Sequence, residues 1–245
     1  MKLLRRIILL VAVLIIIIGG GIGFTLNRWT QGPLPQHDGE LTVNGLNDTV
    51  EILRDEWGVP HIYASNSYDL FFAQGYTHAQ DRWWQMEFSR HIGSGRIQEL
   101  TGATESVMGT DIAIRTMGWY KTAQEEVANH YDVQSIEMLE AFANGVNAYI
   151  LNRPKEQLAF EYNLLGVTGV NIEVDPWTLV DSVVWGKVMA WQLGDSGIET
   201  RRSALADVID IDSDLYQDLF PEYDYEENPT IVLESDLPLS DDTLM

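Results

Sequence analysis

Between Ile7 and Leu26 the chain runs for twenty residues without a charged side chain, with four consecutive isoleucines, Ile15 to Ile18, near its middle. At a rise of about 1.5 Å per residue, such a run makes a helix about long enough to cross a ~30 Å hydrocarbon core. It is apolar on every face, unlike a helix packed at the surface of a soluble domain. Lys2, Arg5 and Arg6 precede it, and by the positive-inside rule they stay in the cytoplasm, so the bulk of the chain is expected in the bacterial periplasm or at the cell exterior. No A-x-A cleavage pattern follows, although Gly19, Gly20 and Gly21 would loosen the end of the run. Residues 1–6 therefore read as a cytoplasmic basic stub and 7–26 as a transmembrane signal-anchor.

The pattern changes after the apolar run. Residues 27–40 carry Gly32, Pro33, Pro35 and Gly39 without periodicity, which predicts a linker. A domain is expected over 41–233. Leu41 to Val43 and Val50 to Leu53, separated by a polar stretch with Gly45, read as strands joined by a turn, and Ile62 to Ala64 as a third. Phe72, Tyr76, Ala79, Trp83 and Met86 then recur at helical spacing, from a cap at Ser67 to a stop before Gly93. A second helix is predicted from Ser135 to about Asn152, with Leu139, Phe142, Val146 and Tyr149 on one face. A third opens with Asp175 as cap and Pro176 at its first position, with Leu179, Val183, Gly186, Ala190 and Leu193 in register. Strands preceding helices indicate an α+β fold. Thr230 to Leu233 reads as a last short strand, and 234–245 as an acidic tail or the start of a spacer.

Composition narrows the function classes. Fifteen Lys and Arg oppose 37 Asp and Glu in 245 residues, a net charge of −22, which excludes nucleic-acid binding through a broad basic face. The imbalance is concentrated at the end, where thirteen acids and no Lys or Arg follow Arg202. With no cysteine there is no thiolate nucleophile and no disulfide. Candidate chemistry in the residues is sparse. His78 and Asp81 lie three apart on the first predicted helix without a third metal ligand. Gly93-Ser94-Gly95 ends a helix instead of opening one, as a phosphate loop would, and His61 has no Ser or Asp partner at motif spacing. No G-x-S-x-G elbow occurs. The residues alone give no complete catalytic set.

Three segments nevertheless come in a distinctive order: RDEWGVPHIYA at 54–64, LFFAQGYTHAQDRWWQMEFSR at 70–90 and GSGRIQELTG at 93–102. Asp111 to Arg115, AFANGVNAYI at 141–150 and DPWTLVDSVVWGKVMAWQL at 175–193 continue the series. Over roughly residues 48–233 the sequence resembles the α chain of the penicillin acylase (penicillin amidase) family of N-terminal nucleophile hydrolases. The resemblance implies an α+β fold, the N-terminal part of an αββα sandwich, and a zymogen that cuts itself into an α chain and a larger β chain. The nucleophile, the first residue of the β chain, uses its own α-amino group as base, and such a group titrates near 7.7–8.0. No catalytic residue is assigned here: the only Ser-Asn pair, Ser65-Asn66, falls in a strand-to-helix connection and lacks the aromatic residue expected after it.

Three residues match family positions. Glu199, ten residues after Met189, matches a glutamate that helps hold calcium, a site completed by the β chain because a hard cation needs six to eight oxygens. An ion pair with Arg201 or Arg202 is the alternative reading of Glu199. Met189 and Leu193 match positions lining the acyl pocket, with packing in the core as the alternative. The function implied is hydrolysis of a linear amide, such as the side chain of a β-lactam in antibiotic metabolism or an N-acyl-homoserine lactone. The expected partners are the β chain, an N-acyl substrate and the membrane, but no nucleic acid. The alternative is a noncatalytic, membrane-anchored binding protein that retains the α-chain scaffold.

Overall fold

The computed structural model describes residues 2–194 and 196–221. Contacts divide the chain into two compact units, residues 1–191 and 192–245. The first opens with α1 (Lys2–Gln31), a helix that runs through the uncharged segment and on into the stretch predicted to be a linker. Its side chains from Leu9 to Leu26 are exposed where described, and Leu9–Gln31 is long and apolar enough to cross a membrane.

Two short strands follow, β1 (Glu51–Arg54) and β2 (Pro60–Tyr63), paired antiparallel with Ile52 opposite Ile62. Among the described residues they form a two-stranded sheet. The strand expected at Leu41 to Val43 does not form. The backbone amides of Asn47 and Asp48 instead donate to the Asp69 carboxylate, at 2.8 and 3.0 Å, so this loop is tied to the start of the next helix and not to a cross-strand ladder. Burial opposes ionisation of Asp69, but these amides and the Asn66 and Asn47 side chains outweigh it and hold the carboxyl below its usual range.

The next helix, α2 (Ser67–Ser94), is capped one residue earlier than expected, by Asn66, whose side chain accepts from the Asp69 amide at 2.9 Å. It ends at Gly95, whose φ of 64° is the left-handed conformation of a helix C-cap. A Cβ at Gly95 would also come within 2.8 Å of the Asp111 carbonyl oxygen. The short α3 (Ile97–Thr101) follows, with the amides of Ile97 and Gln98 donating to the buried Asp111 carboxylate. Asp111 belongs to α4 (Glu105–Met117), which is followed by α5 (Trp119–Asn129) and α6 (Val133–Ile150).

The main packing in this unit is the crossing of α2 and α6. Ala79 and Trp83 from the first bury against Ala143, Val146, Tyr149 and Ile150 of the second. Gly75 and Gly145 lie at the crossing, where the absence of side chains lets the backbones touch. Further along, α7 (Phe160–Val167) brings Tyr162 onto this core, and its hydroxyl accepts from the Trp83 indole N–H at 2.8 Å.

The following helix, α8 (Leu179–Leu193), starts three residues later than Pro176. The amide and hydroxyl of Thr178 donate to Asp181, and the Asp181 amide donates back to the Thr178 hydroxyl, a reciprocal cap. Asp175 instead accepts from Arg96 at 3.0 Å. The buried face of α8 is Asp181, Val184 and Val188, whereas Gly186, Ala190 and Leu193 of the expected stripe are exposed. A helix apolar nearly all round has no periodicity from which its inner face can be read.

The second unit contains α9 (Ser196–Ala206) and α10 (Asp214–Leu219), the latter capped by Ser213. Within it, Tyr216 and Arg202 both pack on Phe220. The strand expected at Thr230 to Leu233 and the tail at 234–245 lie outside the described residues.

Candidate functional site

Three interactions fasten the elements around α2 and α8, and each includes a pair of residues far apart in the chain. Arg54 at the end of β1 makes a two-pronged ion pair with Asp81 of α2, both bonds 2.8 Å, and also donates to the Gly58 carbonyl at 3.0 Å. This commits Asp81, so the His78–Asp81 metal reading has lost its acidic half to a structural pair. Among the described residues no group of three or more His, Asp or Glu side chains is placed to hold a metal.

The second is a buried charge cluster. Arg90 of α2 lies 2.5 Å from the Glu87 carboxylate and 3.9 Å from that of Asp181 on α8, and all three residues are buried. Its guanidinium also donates to the carbonyls of Asp175 and Pro176 and lies over the rings of Trp83 and Trp177. Burial pushes the Glu87 carboxyl up to about 7, although Arg90 pulls it down. The neighbouring Tyr162 hydroxyl is raised, chiefly by burial and then by Glu87. On the same helix, burial lowers His91 to about 4, and its Nδ1 lies 2.8 Å from the Glu87 carbonyl. This cluster joins α2, α7 and α8. Sequence reasoning missed it because Glu87 and Asp181 lie far apart in the chain, and the only local signal was a Glu and an Arg three apart on the first predicted helix.

The third fastens α5 to α8: Lys187 meets Glu126 at 2.7 Å, and Trp119 packs edge-on against Trp191 with 5.7 Å between ring centres. Met189 projects from this stretch of α8 and is exposed, as is Leu193 at the end of the helix, so neither takes part in the buried core of the described residues. Glu199 lies on α9, and its side chain is outside the described residues. His61 pairs with Asp55 at 3.4 Å within the β1–β2 hairpin, on an exposed surface. Ser65 donates to Asp48 and Asn66 caps α2, so both side chains of the Ser-Asn pair have structural partners.

One recess opens between α2, α6 and α8, with a volume of about 460 Å³. Met86, Met138, Leu139, Phe142, Trp177 and Trp185 give it apolar walls, while Gln74, His78, Arg82 and Gln85 bring polar groups from α2. Arg82 stands at a kink where α2 leaves helical geometry, with φ −140° and ψ 24°. Leu139 and Phe142, expected on the core face of their helix, line this recess and are only partly buried.

The sequence profile of the family described as penicillin amidase matches residues 49–235. Among curated proteins, penicillin acylase 2 proenzyme of a Pseudomonas species is 37% identical over 147 residues, covering 60% of this chain and 18% of that protein. Penicillin G acylase of Escherichia coli is 31% identical over 159 residues, or 64% of this chain and 18% of its own length. Acyl-homoserine lactone acylase QuiP of Pseudomonas syringae pv. tomato is 28% identical over 191 residues, 78% of this chain and 22% of that one. The chain thus spans about a fifth of the length of these relatives. Among solved structures, a thermostable penicillin G acylase from Alcaligenes faecalis superposes with a TM-score of 0.55 at 26% identity, covering 76% of this chain and 97% of that chain. With the family profile extending from the loop before β1 to beyond α10, this chain belongs to the penicillin amidase family.

Proposed function

We propose that this chain is the α-chain part of an extracytoplasmic amidohydrolase that splits a linear N-acyl amide into a carboxylic acid and an amine. The observation that carries the reading is the extent of the match: 97% of one penicillin G acylase chain superposes on it, yet it spans only 18% of a relative named as a proenzyme. A second chain then supplies the nucleophile and completes an αββα sandwich, of which β1 and β2 form one edge. The names of the relatives leave two substrate classes, β-lactams with an acyl side chain and N-acyl-homoserine lactones.

In this reading Met189 and Leu193, exposed on α8, contribute to the wall of the acyl pocket. An apolar wall distinguishes acyl groups by about 1–3 kcal/mol per methylene. Glu199 supplies one carboxylate oxygen donor to a calcium ion. Calcium takes six to eight oxygens, so the remaining ligands come from the second chain, and the ion binds only to the assembled protein. The apolar part of α1 keeps the enzyme anchored to the membrane, with its folded part on the extracytoplasmic side.

The test is to express this chain with the codons that follow it in the genome and to assay hydrolysis of N-acyl-homoserine lactones and acylated β-lactams. Hydrolysis that requires the downstream chain, with none from residues 1–245 alone, is the expected result. A downstream sequence lacking any continuation of the frame, or a chain that melts cooperatively as a monomer and binds N-acyl compounds without hydrolysing them, would favour the noncatalytic binding protein.

A further inference from the structure

From the recess between α2, α6 and α8 we infer a binding site for an apolar carboxylate, with the hydrocarbon part between the three helices and the carboxylate on Arg82. The volume of about 460 Å³ lies within the range of small-molecule sites, and Met138, Phe142, Trp177 and Trp185 provide the broad apolar walls such sites use. Arg82 gives the site its chemical preference. It is exposed and makes no hydrogen bond or ion pair with any described residue. The acids nearest to it along α2 are already engaged, Asp81 with Arg54 and Glu87 with Arg90.

The other polar groups lining the recess are Gln74, Gln85, Ser182 and His78. Burial lowers His78 from its ordinary value, with Asp81 opposing, which leaves its ring neutral at pH 7. Arg82 is therefore the one formal charge lining the recess among the described residues. Glu137 and Glu140 flank Met138 and Leu139 along α6 but do not line it. A single guanidinium beside an aromatic and thioether wall matches a ligand with one anionic end and an apolar body, because a guanidinium meets a carboxylate through two parallel bonds. A dianionic phosphate or a polar peptide would leave most of that wall unmatched. The carboxylic acid released in the proposed reaction belongs to this class, but the inference concerns binding alone and does not depend on hydrolysis. It places an acid-binding site on the α chain, one turn of α8 from Met189.

The experiment uses the full chain in lipid nanodiscs, with its second chain where one is co-produced. The probes are hydrocinnamate and its neutral amide, hydrocinnamide, read by tryptophan emission because Trp177 and Trp185 line the recess. A saturable change with hydrocinnamate, about tenfold weaker with hydrocinnamide, is expected from one charged hydrogen-bonded pair. Arg82→Gln should weaken hydrocinnamate by about the same factor and leave hydrocinnamide unchanged. Leu139→Trp should abolish both responses by filling the recess. If that variant does not melt cooperatively, peroxide oxidation of Met86 and Met138 decides instead, slowed by hydrocinnamate and not by the amide. Equal binding of acid and amide, an Arg82→Gln variant indistinguishable from wild type, methionines oxidised at the same rate with and without hydrocinnamate, or a recess filled by the second chain and unresponsive to either probe would each overturn the inference.

Discussion

A Cβ atom at Gly145 would lie 1.8 Å from the carbonyl oxygen of Phe72, and one at Gly75 would lie 2.0 Å from that of Phe142. The two contacts are reciprocal: each helix offers a glycine to the other's backbone, which is how α2 and α6 approach closely enough to bury Ala79, Trp83 and Val146 together. In both cases the neighbour is main chain, which has no rotamer to yield. Gly145→Ala is therefore expected to cost at least the usual overpacking penalty of about 3 kcal/mol, and Gly75→Ala a similar amount. The control is Gly109→Ala on the exposed face of α4, where a Cβ meets nothing within 4 Å. That change should raise stability by about 0.5–1 kcal/mol through helix propensity. Urea melts of the three variants in detergent check both signs.

The pair between Arg54 and Asp81 predicts a more local effect. It is the charged tie between the β1–β2 hairpin and α2, and both side chains are mostly screened from solvent. Asp81→Asn keeps the shape but loses the charge-assisted, two-pronged geometry, at a cost of about 1–2 kcal/mol. The loss should appear as faster hydrogen exchange of the amides from Glu51 to Tyr63, with the α2–α6 core amides unchanged. Equal acceleration in both regions would mean that the pair supports the whole unit and not the hairpin alone.

How far the sequence reveals this structure depends on whether a residue's partners are local. The α2 stripe was legible because Phe72, Ala79 and Trp83 recur at helical spacing and all three are buried. The end of α2 falls two residues beyond the expected stop, because Gly93 stays helical against Val184 of α8 and the left-handed cap is Gly95. The start of α8 was misread because Asp175-Pro176 is a good local cap signal, but Asp175 is claimed by Arg96, which is distant in sequence. For the same reason Leu41 to Val43 looks like a strand until Asp69 captures the adjoining loop. Met189 and Leu193 were reached only through likeness to a family, since no periodic or charge signal distinguishes them from core residues. Their exposure is a property of the folded helix. The recess was hidden in the same way, because helical spacing marks Leu139 and Phe142 as core and carries no sign of the space they line with Trp177 and Trp185.

The proposed membrane anchor predicts a fractionation result. In α1, Ile16 and Ile17 lie inside the apolar span and are exposed, as lipid-facing residues would be. Two arginines at these positions would add roughly 6 kcal/mol to the cost of insertion. Wild-type protein should stay with the membrane pellet after an alkaline carbonate wash, and the Ile16→Arg, Ile17→Arg variant should appear in the supernatant. Release of the wild type by the same wash would indicate a cleaved signal segment.

The buried pair of Glu87 and His91 predicts an unusual pH profile of stability. Burial raises Glu87 from 4.5 to about 7, so its contribution to folding is fully present below pH 4.5 and is lost as the pH rises through 7. Burial lowers His91 from 6.5 to about 4, so its contribution is present above pH 6.5 and is lost as the pH falls through 4. Between pH 4.5 and 6.5 unfolding releases a proton from one group and takes one up on the other. The slope of stability with pH follows the difference in bound protons, so the two contributions cancel and the profile from these groups is flat in that window. Glu87→Gln leaves His91 unopposed, and stability should then rise with pH up to 6.5, by at most about 1.4 kcal/mol per pH unit. His91→Gln leaves Glu87 unopposed and should give the opposite slope, falling from pH 4.5 to 7. Urea midpoints at half-unit pH steps measure all three. A wild-type slope as steep as that of either variant would show that the two groups do not offset each other, and parallel profiles in all three would show that neither proton is linked to folding.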